Sequence, residues 1–334
     1  MLNIGVIGYG YWGPNIVRNF NGASGAQVKM VCDVNQQVLN KAKKIFPHIE
    51  TTTDMEELLR SPDIDAVAIV TPVSTHYKIA QKALKRKKHI FIEKPFTFTS
   101  SEAEELIEMA ESKDLKIMVD HTFLYTGAVR KIKQLVDENT LGKLLYFDST
   151  RVNLGLFQHD INVLWDLACH DISIMLHIMK EWPSAVIATG TVHFKNDQEN
   201  VAYLTFYFPS RMIAHINVNW LSPVKIRTTL IAGEKKMLVW NDIDPDEKIK
   251  IYDKGVNIES KEGQYKLLVD YRSGDIWVPK LEQTEALKRM AESFVDYVEH
   301  GTKIINDGYA GLQVVKLLQA ANRSLKNMGE TVKI

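Results

Sequence analysis

The feature that most constrains this chain is a glycine turn, Gly8-Tyr9-Gly10-Tyr11-Trp12-Gly13. It lies at the end of the β-branched run Leu2 to Gly8 and just before a helical stretch from Pro14 to Asn21. In this G-x-G-x-x-G spacing the first glycine permits a tight turn, the second lets a pyrophosphate approach the backbone, and the third allows close helix–strand packing. The helix N-terminus then faces the anion with free N–H groups. The alternative is that the glycines mark only a tight turn. Context strengthens the ligand reading, because Asp33 closes the next strand, Val28 to Asp33. An aspartate there accepts hydrogen bonds from ribose hydroxyls and repels a 2′-phosphate. Val34-Asn35-Gln36 follow it with no Arg or Lys, so NAD is expected over NADP. The interval from Gly8 to Asp33 exceeds the usual one, which a slightly longer helix or loop absorbs. Tyr11 belongs to the expected cofactor loop, and Trp12 either shields the pyrophosphate or packs at the domain edge.

Strands and helices alternate through the first half: a helix over Gln36 to Phe46, another over Met55 to Arg60, a buried strand over Ala66 to Val70, a helix over His76 to Lys87, a strand over His89 to Ile92, a helix over Ser100 to Ser112 and a strand over Lys116 to Val119. That pattern predicts a doubly wound parallel sheet covered by helices. After a helix over Ala128 to Glu138 the period changes to two. Runs at Leu144 to Leu156, Ala185 to Phe194, Val201 to Phe208, Arg211 to Trp220, Lys225 to Ala232, Lys236 to Val239 and Lys248 to Tyr252 predict a large, mainly antiparallel sheet. One helix, Asp166 to Lys180, interrupts them, and two helices, Glu282 to His300 and Tyr309 to Asn327, close the chain. The expected domains are 1–120, binding dinucleotide, and 121–334, an α+β domain for substrate and oligomerisation, with the last helices packing back on the first domain.

Composition narrows the function classes. The chain has 334 residues, with 41 Lys+Arg balanced by 41 Asp+Glu, which argues against a nucleic-acid binder or a polybasic membrane adaptor. Apolar runs such as Ala66 to Val70 are too short to cross a bilayer. Folded-looking sequence starts at Asn3, leaving no room for a signal peptide, so a cytoplasmic protein is expected. Two cysteines, Cys32 and Cys169, do not make a disulfide framework.

Two groups of residues carry chemistry. Glu93-Lys94-Pro95 follows a buried strand at its carboxyl end, where doubly wound sheets bind ligands. A lysine there reads as facing a ligand rather than as a solvated surface charge, with a structural ion pair with Glu93 as the alternative. Thr71, Pro72 and His76 occupy the same sheet edge and join Glu93 and Lys94 as cofactor-binding candidates. Lys85-Arg86-Lys87-Lys88 reads as a solvated helix end. Farther on, Asp166 and His170 stand at i and i+4 on one helix face. A carboxylate beside an imidazole can anchor substrate while the imidazole handles a proton near neutral pH, although such a pair also stabilises helices with no further role. A zinc site would need Cys169, His170, His159 or His121 from different elements, and no metal-ligand spacing supports it. Cys169 reads as a buried thiol.

In this order and spacing, the glycine turn, Glu93-Lys94-Pro95 and Asp166-x-x-x-His170 resemble the glucose–fructose oxidoreductase, inositol dehydrogenase and rhizopine-catabolism (Gfo/Idh/MocA) family. The resemblance spans essentially the whole chain and includes Asp307, Gly308 and Ser324 in the C-terminal pattern. It implies a Rossmann domain, an antiparallel α/β domain whose open sheet face often forms a homodimer or homotetramer, and hydride transfer between nicotinamide and a sugar or polyol carbon. It also implies Lys94, Asp166 and His170 as the catalytic set, with the proton-transfer role open between Lys94 and His170. Asn162-Val163-Leu164-Trp165 stands where many members carry a glycine-rich stretch. Thr150 to Gly155, with Gln158 and Asp160, is similar to members acting on nucleotide-linked sugars of the UDP-N-acetylglucosamine 3-dehydrogenase group. Lys94, Arg151, Asn153, Asp166 and His170 are then the expected substrate contacts, with the Arg151 guanidinium either on a diphosphate or at a strand surface. A free sugar or inositol dehydrogenase, an NAD-dependent glycoside hydrolase and a non-catalytic dinucleotide sensor are the competing readings.

Overall fold

A computed structural model describes residues 1–155, 160–194, 198–257 and 270–334. Short apolar runs form the first sheet: β1 (Leu2–Ile7), β2 (Ala26–Cys32), β3 (Glu50–Thr52), β4 (Ala66–Ile69), β5 (His89–Ile92) and β6 (Ile117–Val119). All pair in parallel, in the order β3-β2-β1-β4-β5-β6. That is the strand order of a dinucleotide-binding sheet, with ligands expected beyond the carboxyl ends of its strands. Every residue of β4 is buried, which is why it reads as a continuous apolar run rather than an alternation.

Helices α1 (Gly13–Gly22), α2 (Gln36–Ile45), α3 (Met55–Arg60), α4 (Val73–Lys85) and α5 (Ser100–Glu111) make the crossovers. Local chemistry fixes several starts. Asn35 accepts the Gln37 N–H ahead of α2, and Thr99 and Glu102 form a reciprocal capping box on α5. Pro72, which has no N–H to satisfy, is the N-cap residue of α4. The helix therefore opens at Val73, ahead of the expected His76, and carries that histidine inward.

In the rest of the chain α6 (Gly127–Asp137) precedes β7 (Leu144–Leu154), and α7 (Cys169–Ile178) precedes β8 (Ala185–Thr191), β9 (Val201–Tyr207), β10 (Ile213–Asn219), β11 (Leu221–Gly233), β12 (Met237–Asn241), β13 (Ile249–Asn257) and β14 (Asp270–Trp277). The closing helices are α8 (Ala286–His300) and α9 (Gly308–Lys326), followed by β15 (Val332–Lys333). The second sheet has nine strands in the order β14-β13-β12-β11-β7-β10-β9-β8-β15. It is antiparallel except where β7 meets β10 in parallel. β11 starts earlier than expected because the pairing with β7 slips between Leu221 and Ile226. That irregularity accommodates Pro223, which cannot donate to a ladder.

The chain divides into two compact units, Met1–Thr126 with Thr284–Gln319, and Gly127–Gln283 with Ala320–Ile334. The first has its core on the parallel sheet, where Phe20, Phe91 and Phe294 meet edge to face at 5.2–5.8 Å. In the second, Ala202, Leu204, Phe206, Ala214, Ile216 and Val218 line the buried face of the nine-stranded sheet. Among the described residues no helix is long and apolar enough to cross a membrane.

Candidate active site

In the first unit the glycine turn has the geometry its spacing demands. Gly8 has φ +98°, and a Cβ there would stand 2.3 Å from the Val70 carbonyl oxygen. A Cβ on Gly13 would stand 2.6 Å from the Gly8 carbonyl oxygen, so the third glycine closes the turn onto the helix. Gly10 faces open space, the room a pyrophosphate needs. Helix α1 begins without a side-chain cap, so its N-terminus can face an anion. Asp33 is tied to the turn: its Oδ2 accepts the Tyr9 N–H at 2.7 Å and its Oδ1 the Asn35 N–H at 2.8 Å. The carboxylate keeps lone pairs for ribose hydroxyls. Tyr11 is 86% exposed beside the half-buried Trp12, their rings 6.4 Å apart. These residues fit a dinucleotide.

At the carboxyl ends of the next strands the structure departs from expectation at His76. Its ring is fully buried, with Nδ1 2.9 Å from the Pro95 carbonyl and Nε2 2.8 Å from the Thr71 carbonyl. It braces the end of β4 against the Lys94–Pro95 corner, whose peptide bond is cis. A cofactor contact would require breaking that brace. Thr71 is engaged with Thr75, their hydroxyls 2.7 Å apart.

Lys94 is half-buried, and the residues around it are buried and polar: Glu93, Asp120 and His121. Burial, reinforced by the Asp120 carboxyl, pushes Glu93 well above the ordinary carboxylate range, while Lys94 pulls the other way. Burial also raises Asp120, against hydrogen bonds from Thr122, Glu93 and Trp12 that favour its charge. Burial, with the Lys94 charge beside it, brings His121 down to about 4, so its imidazole is neutral at physiological pH. Asp120 escapes sequence reading because it carries no spacing motif, although its place at the end of a strand was a usable signal.

In the second unit Asp166 sits in a π-helical turn, Leu164–Ala168, that runs directly into α7. The widened turn replaces the single straight helix expected from Asp166 onward, and such turns are frequent at functional sites. Trp220, at the end of β10, donates its indole N–H to Asp166 Oδ2 at 3.1 Å. Asn162 supports the same turn, its Oδ1 accepting the Trp165 N–H at 3.2 Å. His170 follows in the first turn of α7, half-buried. Asn153 reaches this cluster through Gly155, where a Cβ would stand 3.0 Å from Asn153 Nδ2 and 3.1 Å from the Trp220 ring. Trp220, 1% exposed, is the residue sequence reasoning missed; its strand was visible but not its indole N–H.

Arg151 is corrected. It is 4% exposed, and its Nε donates to Asp171 Oδ2 at 2.6 Å while Nη2 reaches Asp171 Oδ1 at 3.3 Å. Ser149 adds a hydrogen bond to the same carboxylate at 2.7 Å. The guanidinium therefore pins α7 to β7 from inside and is not presented to a diphosphate. Gln158 and His159 lie outside the described residues, and Asp160 is exposed. Ser324 accepts the Ala188 N–H at 2.8 Å, and Asp307 accepts the Ala310 N–H at 2.9 Å at the start of α9. Cys32 and Cys169 are free, buried thiols. Among the described residues no group of three or more His, Cys, Asp or Glu side chains is placed to hold a metal.

Comparison with known proteins agrees with this fold. Residues 2–121 match the GFO/IDH/MocA oxidoreductase family with an NAD-binding Rossmann fold, and residues 129–239 match the GFO/IDH/MocA C-terminal domain. The chain is 25% identical to the UDP-N-acetylglucosamine 3-dehydrogenase of Acidithiobacillus ferrooxidans, over 94% of each chain. The solved structure of that enzyme superposes with a TM-score of 0.82 at 23% identity, covering 98% of both chains. The NADP-dependent scyllo-inositol 2-dehydrogenase IolW of Bacillus subtilis is 24% identical over 97% of this chain and 94% of its own. GenD2 of gentamicin A biosynthesis, solved with NAD, gives a TM-score of 0.84 at 19% identity, over 100% of this chain and 96% of its own. In other matches to curated relatives the chain covers 32–61% of the relative's length.

Proposed function

Because the chain belongs to the Gfo/Idh/MocA family of oxidoreductases with an NAD-binding Rossmann domain, we propose that it is a dehydrogenase acting on a secondary hydroxyl of a sugar. The substrate is the C3 hydroxyl of a UDP-N-acetylhexosamine, and the product is the 3-keto sugar. The observation that carries the chemistry is the Asp166 turn: a half-buried carboxylate, oriented by the Trp220 indole, one helical turn before a half-buried imidazole. Similarity to a UDP-N-acetylglucosamine 3-dehydrogenase over 94% of the chain supports the substrate class.

NAD, held by the glycine turn and Asp33, supplies the hydride acceptor when bound. Asp33 disfavours a 2′-phosphate, which supports NAD over NADP. Lys94 binds the reacting oxygen and stabilises the developing alkoxide, a contribution of about 3 kcal/mol by the size of comparable electrostatic contacts. His170 takes the hydroxyl proton at its ring nitrogen, the general-base role an imidazole commonly fills. Asp166 holds a neighbouring hydroxyl, with Trp220 fixing its rotamer. Asn153, which lies near Trp220 beside Gly155, completes the substrate contacts of that unit. The enzyme acts in the cytoplasm as a homodimer or homotetramer that covers the exposed side of the nine-stranded sheet.

The test is NADH formation by purified protein with NAD and UDP-N-acetylglucosamine, alongside UDP-glucose, free N-acetylglucosamine and myo-inositol. A ketone trap keeps an unfavourable oxidation from stalling after one turnover. Turnover that depends on the nucleotide supports the reading. Turnover with an unlinked sugar or inositol alone replaces it with the second reading, which the likeness to a scyllo-inositol dehydrogenase over 97% of the chain favours.

A further inference from the structure

The corner that carries Lys94 holds two carboxyl groups that the proposed reaction does not use. β5 and β6 run in parallel with Ile92 opposite Val119, so the next residues, Glu93 and Asp120, leave the sheet side by side. Their backbones stay tied there, with the Asp120 N–H donating to the Ile92 carbonyl at 2.7 Å and the Glu93 N–H to the Ile69 carbonyl at 2.9 Å. Both are buried, at 8% and 2% exposure.

One oxygen of each carboxyl group is held locally. Glu93 Oε2 accepts the Lys94 N–H at 3.2 Å, and Asp120 Oδ1 accepts both the N–H and the hydroxyl of Thr122. Glu93 Oε1 and Asp120 Oδ2 are buried without a well-formed hydrogen bond among the described residues, with the Trp12 indole a further side-chain donor near Asp120. Two ionised carboxylates cannot sit together in such a place. One proton resolves it: the Glu93 hydroxyl donates to the Asp120 carboxylate, and both orphaned oxygens are satisfied at once. The other groups facing the pair are the Lys94 ammonium, the neutral His121, the Trp12 indole and the Tyr125 phenol, whose titration also feels Asp120.

We propose that Glu93 and Asp120 are positioning residues for Lys94, locking the ends of β5 and β6 together through one proton held between their carboxyl groups. The pair carries a single negative charge, so it balances the lysine without burying a second anion. When the proton leaves, facing carboxylates repel and the corner from which Lys94 projects loses its lock. The inference rests on the reading that Lys94 works at the reacting oxygen.

Two measurements test it. Infrared difference spectroscopy on the free protein at neutral pH should show the carbonyl stretch of a protonated, buried carboxylic acid, and Glu93→Gln should remove it. The second is the pH dependence of kcat. In the Glu93→Gln variant the new amide N–H would donate to Asp120 at every pH and leave the charge beside Lys94 unchanged. The alkaline limb of kcat should therefore move up by at least about one pH unit, so that the variant retains turnover where the parent has lost about tenfold. Asp120→Asn, with its own permanent donor, should shift the limb the same way and serves if Glu93→Gln does not fold. Absence of the acid band, its survival in Glu93→Gln, or superimposable pH profiles overturns the proposal. A protein that shows the band yet turns over no sugar overturns the dehydrogenase reading instead.

Discussion

On the proposed mechanism turnover depends on Lys94 and His170, and each is expected to be irreplaceable by alanine. Lys94→Ala and His170→Ala should each lower kcat at least about 100-fold, the scale of a lost acid–base or oxyanion-stabilising group. Normal turnover by both purified variants would remove the catalytic assignment. His121 makes a separate claim on pH. Its folded pKa, brought down to about 4, lies below the 6.5 of the unfolded chain. The unfolded state therefore takes up the proton first, and stability falls as pH drops through about 6.5 and levels off below about 4. The full loss is about 3 kcal/mol. His121→Leu should flatten that part of the stability profile, measured by urea titration at a series of pH values. Arg151→Ala should cost about 3–5 kcal/mol in the same titration, because it leaves the buried Asp171 carboxylate without its partner. Were Arg151 a substrate contact, the loss would fall on KM for the nucleotide sugar with stability intact.

At the scale of elements, the π-helical turn and the β10–β11 connection form one device. Trp220→Phe keeps an aromatic ring in the buried space but removes the N–H that holds Asp166. The expectation is about a tenfold fall in kcat/KM for the sugar, roughly the size of one hydrogen bond to a charged group, with NAD affinity unchanged by fluorescence titration. An equal loss of NAD affinity would mean the indole acts on the fold at large. The same device shows what a sequence can reveal. The glycine turn was legible because three residues at fixed spacing each answer a separate steric demand, as the close approaches at Gly8 and Gly13 bear out. Asp166 and His170 were legible as a spacing, but the π turn that presents Asp166 was not, since no local residue pattern distinguishes it from an α turn. His76 read as a ligand because its place at a helix start hid that Pro72 had moved that start forward. Arg151 read as outward although its parity with Phe147 and Ser149 pointed inward; the buried partner lay 20 residues away in another element. Asp120 went unread for the same reason, its meaning arising only when β6 is laid beside β5.

For the molecule as a whole, the nine-stranded sheet leaves several large side chains part-exposed on one face, which the proposed oligomer would cover. Tyr146 on β7, Tyr203 and Tyr207 on β9, Ile213 on β10 and Leu230 on β11 are each 36–44% exposed. Register sets Ile213 opposite Tyr146 on one side and Tyr207 on the other, while Leu230 lies beside Asp148 and Tyr203 beside Asn217. Tyr203 stacks on His215 at 6.4 Å, and His215 lies 3.6 Å from Asp148, so a polar pair runs through the middle of the face. Part-exposed aromatic and aliphatic side chains interleaved with polar ones on one sheet face suit a wet, mixed interface between subunits. Because opposite faces of a strand alternate, these side chains can be changed without touching Ala202, Leu204, Phe206 or Ala214 in the core. Ile213→Asp combined with Tyr207→Lys should therefore leave the fold intact by circular dichroism and shift the mass by light scattering from a dimer or tetramer to the monomer. A parent protein that is already monomeric at micromolar concentration, or a double variant whose mass does not change, would show that this face serves some other purpose.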